Sequence, residues 1–340
     1  MKDALMPSSN FTVCPAPLRF DAYEGCTAGC RYCFARVAAL SSITSKHDQW
    51  EAVQKRKMNL GKSCLGEGRS AIAAYRALNI PVHIGGMADS LQPIEQEEKY
   101  FLQGLEWFAD NSVPVILSTK FSLLGKEPWR SAWERIPQRL LQVSCIAADD
   151  RMLQLEPGAA PWQERMALVR DLSQTCPAII RAQPFILPFG LDGFSHLAEQ
   201  AAAHGASGIT VEGLKLPIWK HDFMDRALQA ILGKAYQPPQ ERGSSDWEYT
   251  YSQRFAYQLT ARKACRANGL AHWAADNAFR WLGDSPNCCG QDLIDCGVWQ
   301  ANWGHAAEEA RLHGEVDFSW LSARIGAQAG GTHAYVNAGN

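Results

Sequence analysis

Short apolar runs that alternate with helical stretches limit this chain more than any other feature. The runs lie at 18–23, 80–86, 113–120, 139–147, 177–187 and 206–217. Helical spacing of apolar residues falls between them, at about 69–78, 95–110, 161–175 and 196–205. Alternation at this length builds βαβ units, and βαβ units build a parallel sheet. Six of them predict an α/β fold, a partial TIM-like (β/α)6 barrel over 18–235, with a doubly wound open sheet as the alternative. Residues 1–17 read as an N-terminal segment. The Pro/Gly/Ser-rich stretch "YQPPQERGSSDW" (236–247) marks an edge, beyond which 236–340 form a C-terminal extension or cap. That extension holds an aromatic-rich helix at about 247–268 and a strand at 270–276, and its last residues read as loosely ordered.

In such barrels the chemistry gathers at the C-terminal ends of the strands. The segment "YEGCTAGCRYCFARVAAL" (23–40) follows the first strand and carries Cys26, Cys30 and Cys33 in C-x3-C-x2-C spacing. The start of the chain has no signal-peptide character and no apolar run reaches membrane-spanning length, so the expected compartment is the cytoplasm. Thiols stay reduced there, and eleven cysteines then point to metal binding or catalysis rather than to disulfides. Clustered thiolates select zinc, copper(I) or iron–sulfur clusters. A structural zinc wants four protein ligands. Three cysteines leave a site one ligand short, which suits a cluster with one iron free for a substrate. The net charge of −2 excludes a partner held by global basicity.

Cys26, Cys30, Tyr32 and Cys33, as C-x3-C-x-aromatic-C, resemble the signature of the radical S-adenosylmethionine (SAM) superfamily. Stretches at 83–95, 116–120, 143–165, 181–193 and 211–217 resemble its spore photoproduct lyase-like subgroup, so the likeness covers roughly residues 11–235. The resemblance implies a [4Fe-4S] cluster on Cys26, Cys30 and Cys33 whose free iron binds SAM. It implies an external one-electron reductant of flavodoxin or ferredoxin type, and reductive cleavage of SAM to a 5′-deoxyadenosyl radical that takes hydrogen from a substrate. Tyr32 is expected near the adenine. Gly85, Gly86, Ser118, Lys120, Ser144 and Arg181 are the expected SAM contacts, and Glu212 a weaker candidate for ribose or substrate. No catalytic residue is assigned.

The substrate stays open. Nucleic-acid or nucleotide modification or repair stands beside radical modification of a peptide or small metabolite, and a non-catalytic zinc-binding module is the reading from another class. The lyase of the subgroup has a cysteine just beyond its second strand, where this chain has Met87. A thioether has no hydrogen to return, so repair of that thymine lesion is in doubt unless Cys145 or a tyrosine substitutes. In "NCCGQDLIDCG", Cys288, Cys289 and Cys296 are candidate ligands of a second iron–sulfur cluster, with Cys265, Cys14 or His305 as a fourth. The alternative is that they are buried small hydrophobes. Cys64, Cys145 and Cys176 read as structural. The basic stretch 44–69 reads first as a solvated face and second as a phosphate track. The aromatic run 246–257 reads first as core and second as a base-stacking surface.

Overall fold

The structure is a computed structural model that describes residues 3–7, 14–36, 53–60, 78–218, 221–243, 246–298 and 314. The helix expected at 69–78, Cys64, His305, most of the basic stretch 44–69 and the chain end lie wholly or largely outside the described residues.

All six expected strands form: β2 (Leu18–Phe20), β5 (Val82–Ile84), β6 (Val115–Thr119), β7 (Arg139–Ser144), β8 (Ala178–Phe185) and β9 (Gly208–Gly213). They pair in parallel, in chain order. β1 (Leu5–Pro7) adds antiparallel to β2 at one edge, and β13 (Ala271–Ala274) adds parallel to β9 at the other. The result is an open eight-stranded sheet whose edges do not pair with each other. Two small sheets flank it: β3 (Tyr23–Glu24) with β4 (Gln54–Lys55), and β10 (Leu216–Pro217), β12 (Asp246–Glu248) and β11 (Glu241–Arg242). The Pro/Gly/Ser-rich stretch therefore holds two short strands as well as a break.

The pleat gives the sheet two different faces. One carries Val82, Ile84, Val115, Leu117, Leu141, Val143, Ile180, Ile209 and Val211, buried in the main core. The other begins with an apolar layer of Ile116, Leu140, Ile179 and Trp273. Beside it lies a polar group: Ser118 is in register with Gln142 and Arg181 with Thr210, and side-chain hydrogen bonds join His83 and Arg181 to Ser118. Residues from beyond position 236 cover this second face. Cys289, Leu293 and Ile294 pack on the apolar layer. Gln142 Nε2 donates to the Cys289 carbonyl (2.7 Å) and Thr210 Oγ1 to the Cys288 carbonyl (2.6 Å).

The helix expected at 196–205 starts earlier and runs from Phe189 to Ala203, and two others also depart from the expected bounds. The 95–110 helix is broken at Lys99, which takes a left-handed conformation (φ 45°) between Ile94–Glu98 and Tyr100–Asp110. The Glu95 carboxylate inside the first piece accepts from the Phe101 and Leu102 amides (2.8 and 2.9 Å), starting the second helix anew. The aromatic-rich helix runs from Tyr251 to Ala267, started by a capping box of Thr250 and Gln253.

Candidate active site

The loop after β2 and β3 carries the three cysteines to the C-terminal side of the sheet, as expected for the first barrel strand. Other segments fix its shape. Gln92 takes the Thr27 amide on its carbonyl (3.0 Å) and donates to the Gly25 carbonyl (3.2 Å). From the other side the Arg31 amide bonds the Leu155 carbonyl (2.9 Å) and the Gly158 amide bonds the Ala28 carbonyl (3.1 Å). A Cβ on Gly158 would stand 1.9 Å from the Thr27 carbonyl oxygen, so only glycine lets the two loops meet.

A cavity of about 530 Å³ opens at this end. Cys26, Cys30 and Cys33 line it, as do Gly85, Gly86, Ser118, Lys120, Ser144 and Arg181. Tyr32 lines it as well, so every residue expected at the first cluster or at SAM borders a single space. Gln183, Glu212, Lys215 and Asp246 line the remainder, and Glu212 pairs with Lys215 (2.7 Å). Met87 also lines it.

The turn after β5 is held by two buried carboxylates. Asp21 accepts from the amides of Met87 (2.9 Å) and Ala88 (3.2 Å). Asp89 accepts from the Lys120 amide (2.7 Å) and from Thr119 Oγ1 (3.0 Å). Below the cavity runs a chain of polar groups. Arg181 donates to Ser118 Oγ (3.2 Å) and Gln183 Oε1 (2.9 Å), Ser118 donates to Gln142 Oε1 (2.7 Å), and His83 Nε2 meets Ser118 Oγ at 2.8 Å. Burial, reinforced by Arg181, pulls the His83 imidazole down to about 3, so it is neutral at physiological pH.

Burial raises all three thiols. It pushes Cys26 up to about 12, with Asp89 adding to the rise. It raises Cys30 against the pull of Lys120, and raises Cys33 against backbone bonds from Arg36 and Ala35. At neutral pH these are thiols, and a coordinated cation is what would deprotonate them. Among the described residues no group of three His, Cys, Asp or Glu side chains is arranged to hold a single metal ion. The donor set fits a multi-iron cluster instead: three free soft donors from one loop, at the edge of a cavity that also offers cations.

Sequence reasoning missed Glu156 and Arg165. The Glu156 carboxylate is wholly buried and one oxygen accepts from Lys120 Nζ (2.8 Å) and from the Tyr32 hydroxyl. Its other oxygen pairs with Arg165 Nη1 at 2.6 Å, a charge contact without hydrogen-bond geometry. Arg165 also donates to the Ala160 and Ser144 carbonyls, both at 2.7 Å. Lys120, expected to meet SAM alone, is therefore also tied to Glu156 and lies 5.6 Å from the Tyr32 ring centre. The signal was present in the quoted segment 143–165, as a Glu before Pro-Gly and an Arg in the next helix. Only the fold shows that both turn inward.

The C-terminal cysteines divide. Cys288 and Cys289 are free thiols that act on each other's protonation, and Cys14 acts on both electrostatically. Cys296 is bonded instead to the Gln291 carbonyl (3.9 Å), and Cys265 is buried near Asp284. Cys145 is buried with its thiol on the Ala147 carbonyl (3.2 Å) and does not line the cavity.

This architecture is an α/β fold with a mainly parallel sheet, of the partial-barrel kind seen in radical SAM proteins. In particular it is similar to spore photoproduct lyase. A mutant of that enzyme with bound AdoMet and dinucleoside spore photoproduct aligns with a TM-score of 0.57 and 13% identity over 76% of each chain. Spore photoproduct lyase complexed with dinucleoside spore photoproduct aligns at 0.55 and 14%, over the same 76% of each. At such identity the likeness is one of fold. No family model matches the chain. Curated relatives include uncharacterized proteins of Mycobacterium tuberculosis and Mycobacterium bovis, each 26% identical over 223 residues, 63% of this chain. The match spans 64% of those relatives' length.

Proposed function

We propose that this protein is a radical SAM enzyme. The observation that carries the reading is the single cavity bordered by Cys26, Cys30, Cys33, Gly86, Lys120 and Arg181. A [4Fe-4S] cluster with SAM supplies one-electron cleavage of a carbon–sulfur bond and a radical able to abstract hydrogen from an unreactive carbon. The three cysteines hold that cluster. Gly86 leaves open space where a side chain would intrude. Arg181 offers its guanidinium to a carboxylate, and Ser118 and Gln183 fix its aim. A reductant of flavodoxin or ferredoxin type supplies the electron.

The substrate meets Gln183, Glu212, Lys215 and Asp246, polar residues of the lining that are not assigned to the cluster or to SAM. Nucleotide modification or repair is the leading class, supported by the fold shared with a protein whose structures hold a dinucleoside. Hydrogen return by a thiol at the Met87 position has no donor here. Of the two substitutes expected, Cys145 does not line the cavity, whereas a tyrosine, Tyr32, does.

The test is anaerobic reconstitution of the full chain, with iron, sulfide and SAM cleavage measured beside Cys30→Ala. About four irons and dithionite-dependent release of 5′-deoxyadenosine, both lost in Cys30→Ala, support the reading. Uptake of zinc in place of iron overturns it and leaves the binding module.

A further inference from the structure

Glu156 stands outside the cavity lining, yet it bonds two residues of it. Its turn underlies the cysteine loop through the Leu155–Arg31 and Gly158–Ala28 backbone bonds. Its carboxylate bonds Tyr32, which lies between Cys30 and Cys33, and Lys120, which borders the cavity. Arg165, equally buried, holds the second oxygen and the Ser144 carbonyl. One carboxylate thus joins the cysteine loop to the ends of β6 and β7. Two cations share this one anion, so Glu156 is the sole negative charge within a group of net charge +1 formed by Lys120, Glu156 and Arg165. Water screens little at such depth, so each of these charges acts on whatever the cysteines hold.

We propose that Glu156 is a positioning residue for the cluster on Cys26, Cys30 and Cys33, fixing the loop through Tyr32 and setting, against Lys120, how readily that cluster accepts an electron. This rests on the radical SAM reading. Reduction adds a negative charge at the cysteines. A neighbouring anion opposes it and a neighbouring cation favours it. Glu156→Gln keeps the shape and removes the anion, so reduction becomes easier. Lys120→Met keeps the stem and removes the cation, so reduction becomes harder. Tyr32→Phe leaves every charge in place.

The experiment is a potentiometric titration of the anaerobically reconstituted full chain, read by the electron-paramagnetic signal of the reduced cluster, with iron content measured in each sample. The expected result is a reduction equilibrium shifted about tenfold toward the reduced form in Glu156→Gln, the order expected for one charge at roughly 10 Å and an effective dielectric near 20. For one electron that is about 59 mV. Lys120→Met shifts in the opposite sense, and Tyr32→Phe, which removes the bond that fixes the loop but no charge, shifts less than either. A merely structural Glu156 would change iron retention or melting without paired shifts of opposite sign. Shifts of the same sign, or none, in Glu156→Gln and Lys120→Met overturn the proposal. Where Glu156→Gln does not retain iron, Lys120→Met against Tyr32→Phe decides, and an unmoved or raised potential in Lys120→Met overturns it. A wild type that takes up no iron overturns the radical SAM reading and this proposal with it.

Discussion

Gly85 and Gly86 look alike in the sequence, two neighbours after a strand, and the fold gives them opposite tasks. Gly85 has φ +81°, and a Cβ there would stand 2.2 Å from the Ser118 carbonyl oxygen. Gly86 meets nothing within 4 Å because it faces the cavity. Gly85→Ala should therefore lower the unfolding free energy by about 1–3 kcal/mol, the range for a residue forced into a strained backbone conformation. Gly86→Ala should leave it within about 0.5 kcal/mol, as a substitution into open space does. The same Gly86→Ala should weaken SAM binding at least about tenfold, which corresponds to about 1.4 kcal/mol. Denaturant unfolding and equilibrium dialysis of labelled SAM check the pair, and equal unfolding losses would contradict the division. A similar split holds for Tyr32 and Lys120. Their residue types and positions marked them for the site, but nothing local showed that both bond one buried carboxylate.

At the level of elements, the six parallel strands were readable because alternate positions on one face are mostly Val, Ile, Leu and Phe, buried in the main core. The other face was harder. His83, Ser118, Gln142 and Arg181 look like interruptions of a strand until the fold joins them by side-chain hydrogen bonds on Ser118. What covers that face was not readable, since it comes from residues 287–294, far along the chain. This placement bears on the second cluster. Cys14 and Cys289 pack against Ile116, Leu140, Ile179 and Trp273, an environment that suits a thiol as a small hydrophobe. Cys289→Ala should therefore keep the full iron content of the wild type, about four per chain. It should also lower stability by up to about 2 kcal/mol through the lost packing. Iron analysis of the anaerobically reconstituted variant decides, and loss of half the iron from an eight-iron wild type would instead establish a cluster on Cys14, Cys288 and Cys289.

Across the whole molecule, two imidazoles on opposite faces of the sheet must stay neutral, His83 on the second face and His272 beside Ile209 on the first, and this makes the fold sensitive to acid. Burial pulls the His83 imidazole down to about 3 and the His272 imidazole down to about 4. His272 is held through Nδ1 by the Leu282 carbonyl at 3.3 Å, and its Nε2 has no hydrogen-bond partner among the described residues. A histidine in the unfolded chain takes up its proton near pH 6.5. Between that value and the folded value the unfolded state binds more protons, so stability falls as the pH drops. The contribution is complete above pH 6.5 and is lost progressively toward about pH 4 for His272. At pH 5.5 each such histidine removes about 1.4 kcal/mol relative to neutral pH, one pKa unit of linkage. His272→Asn keeps a donor near the Nδ1 position and cannot titrate. Buried carboxylates such as Asp21, Asp89 and Glu156 are shifted upward by burial and act in the opposite sense, so the comparison must be between variant and wild type at each pH. Urea unfolding at pH 7.5 and 5.5 should show the wild type losing about 1.4 kcal/mol more than His272→Asn. Parallel losses in the two proteins would mean that His272 takes up its proton as readily in the folded chain as in the unfolded one, which its enclosed ring does not permit.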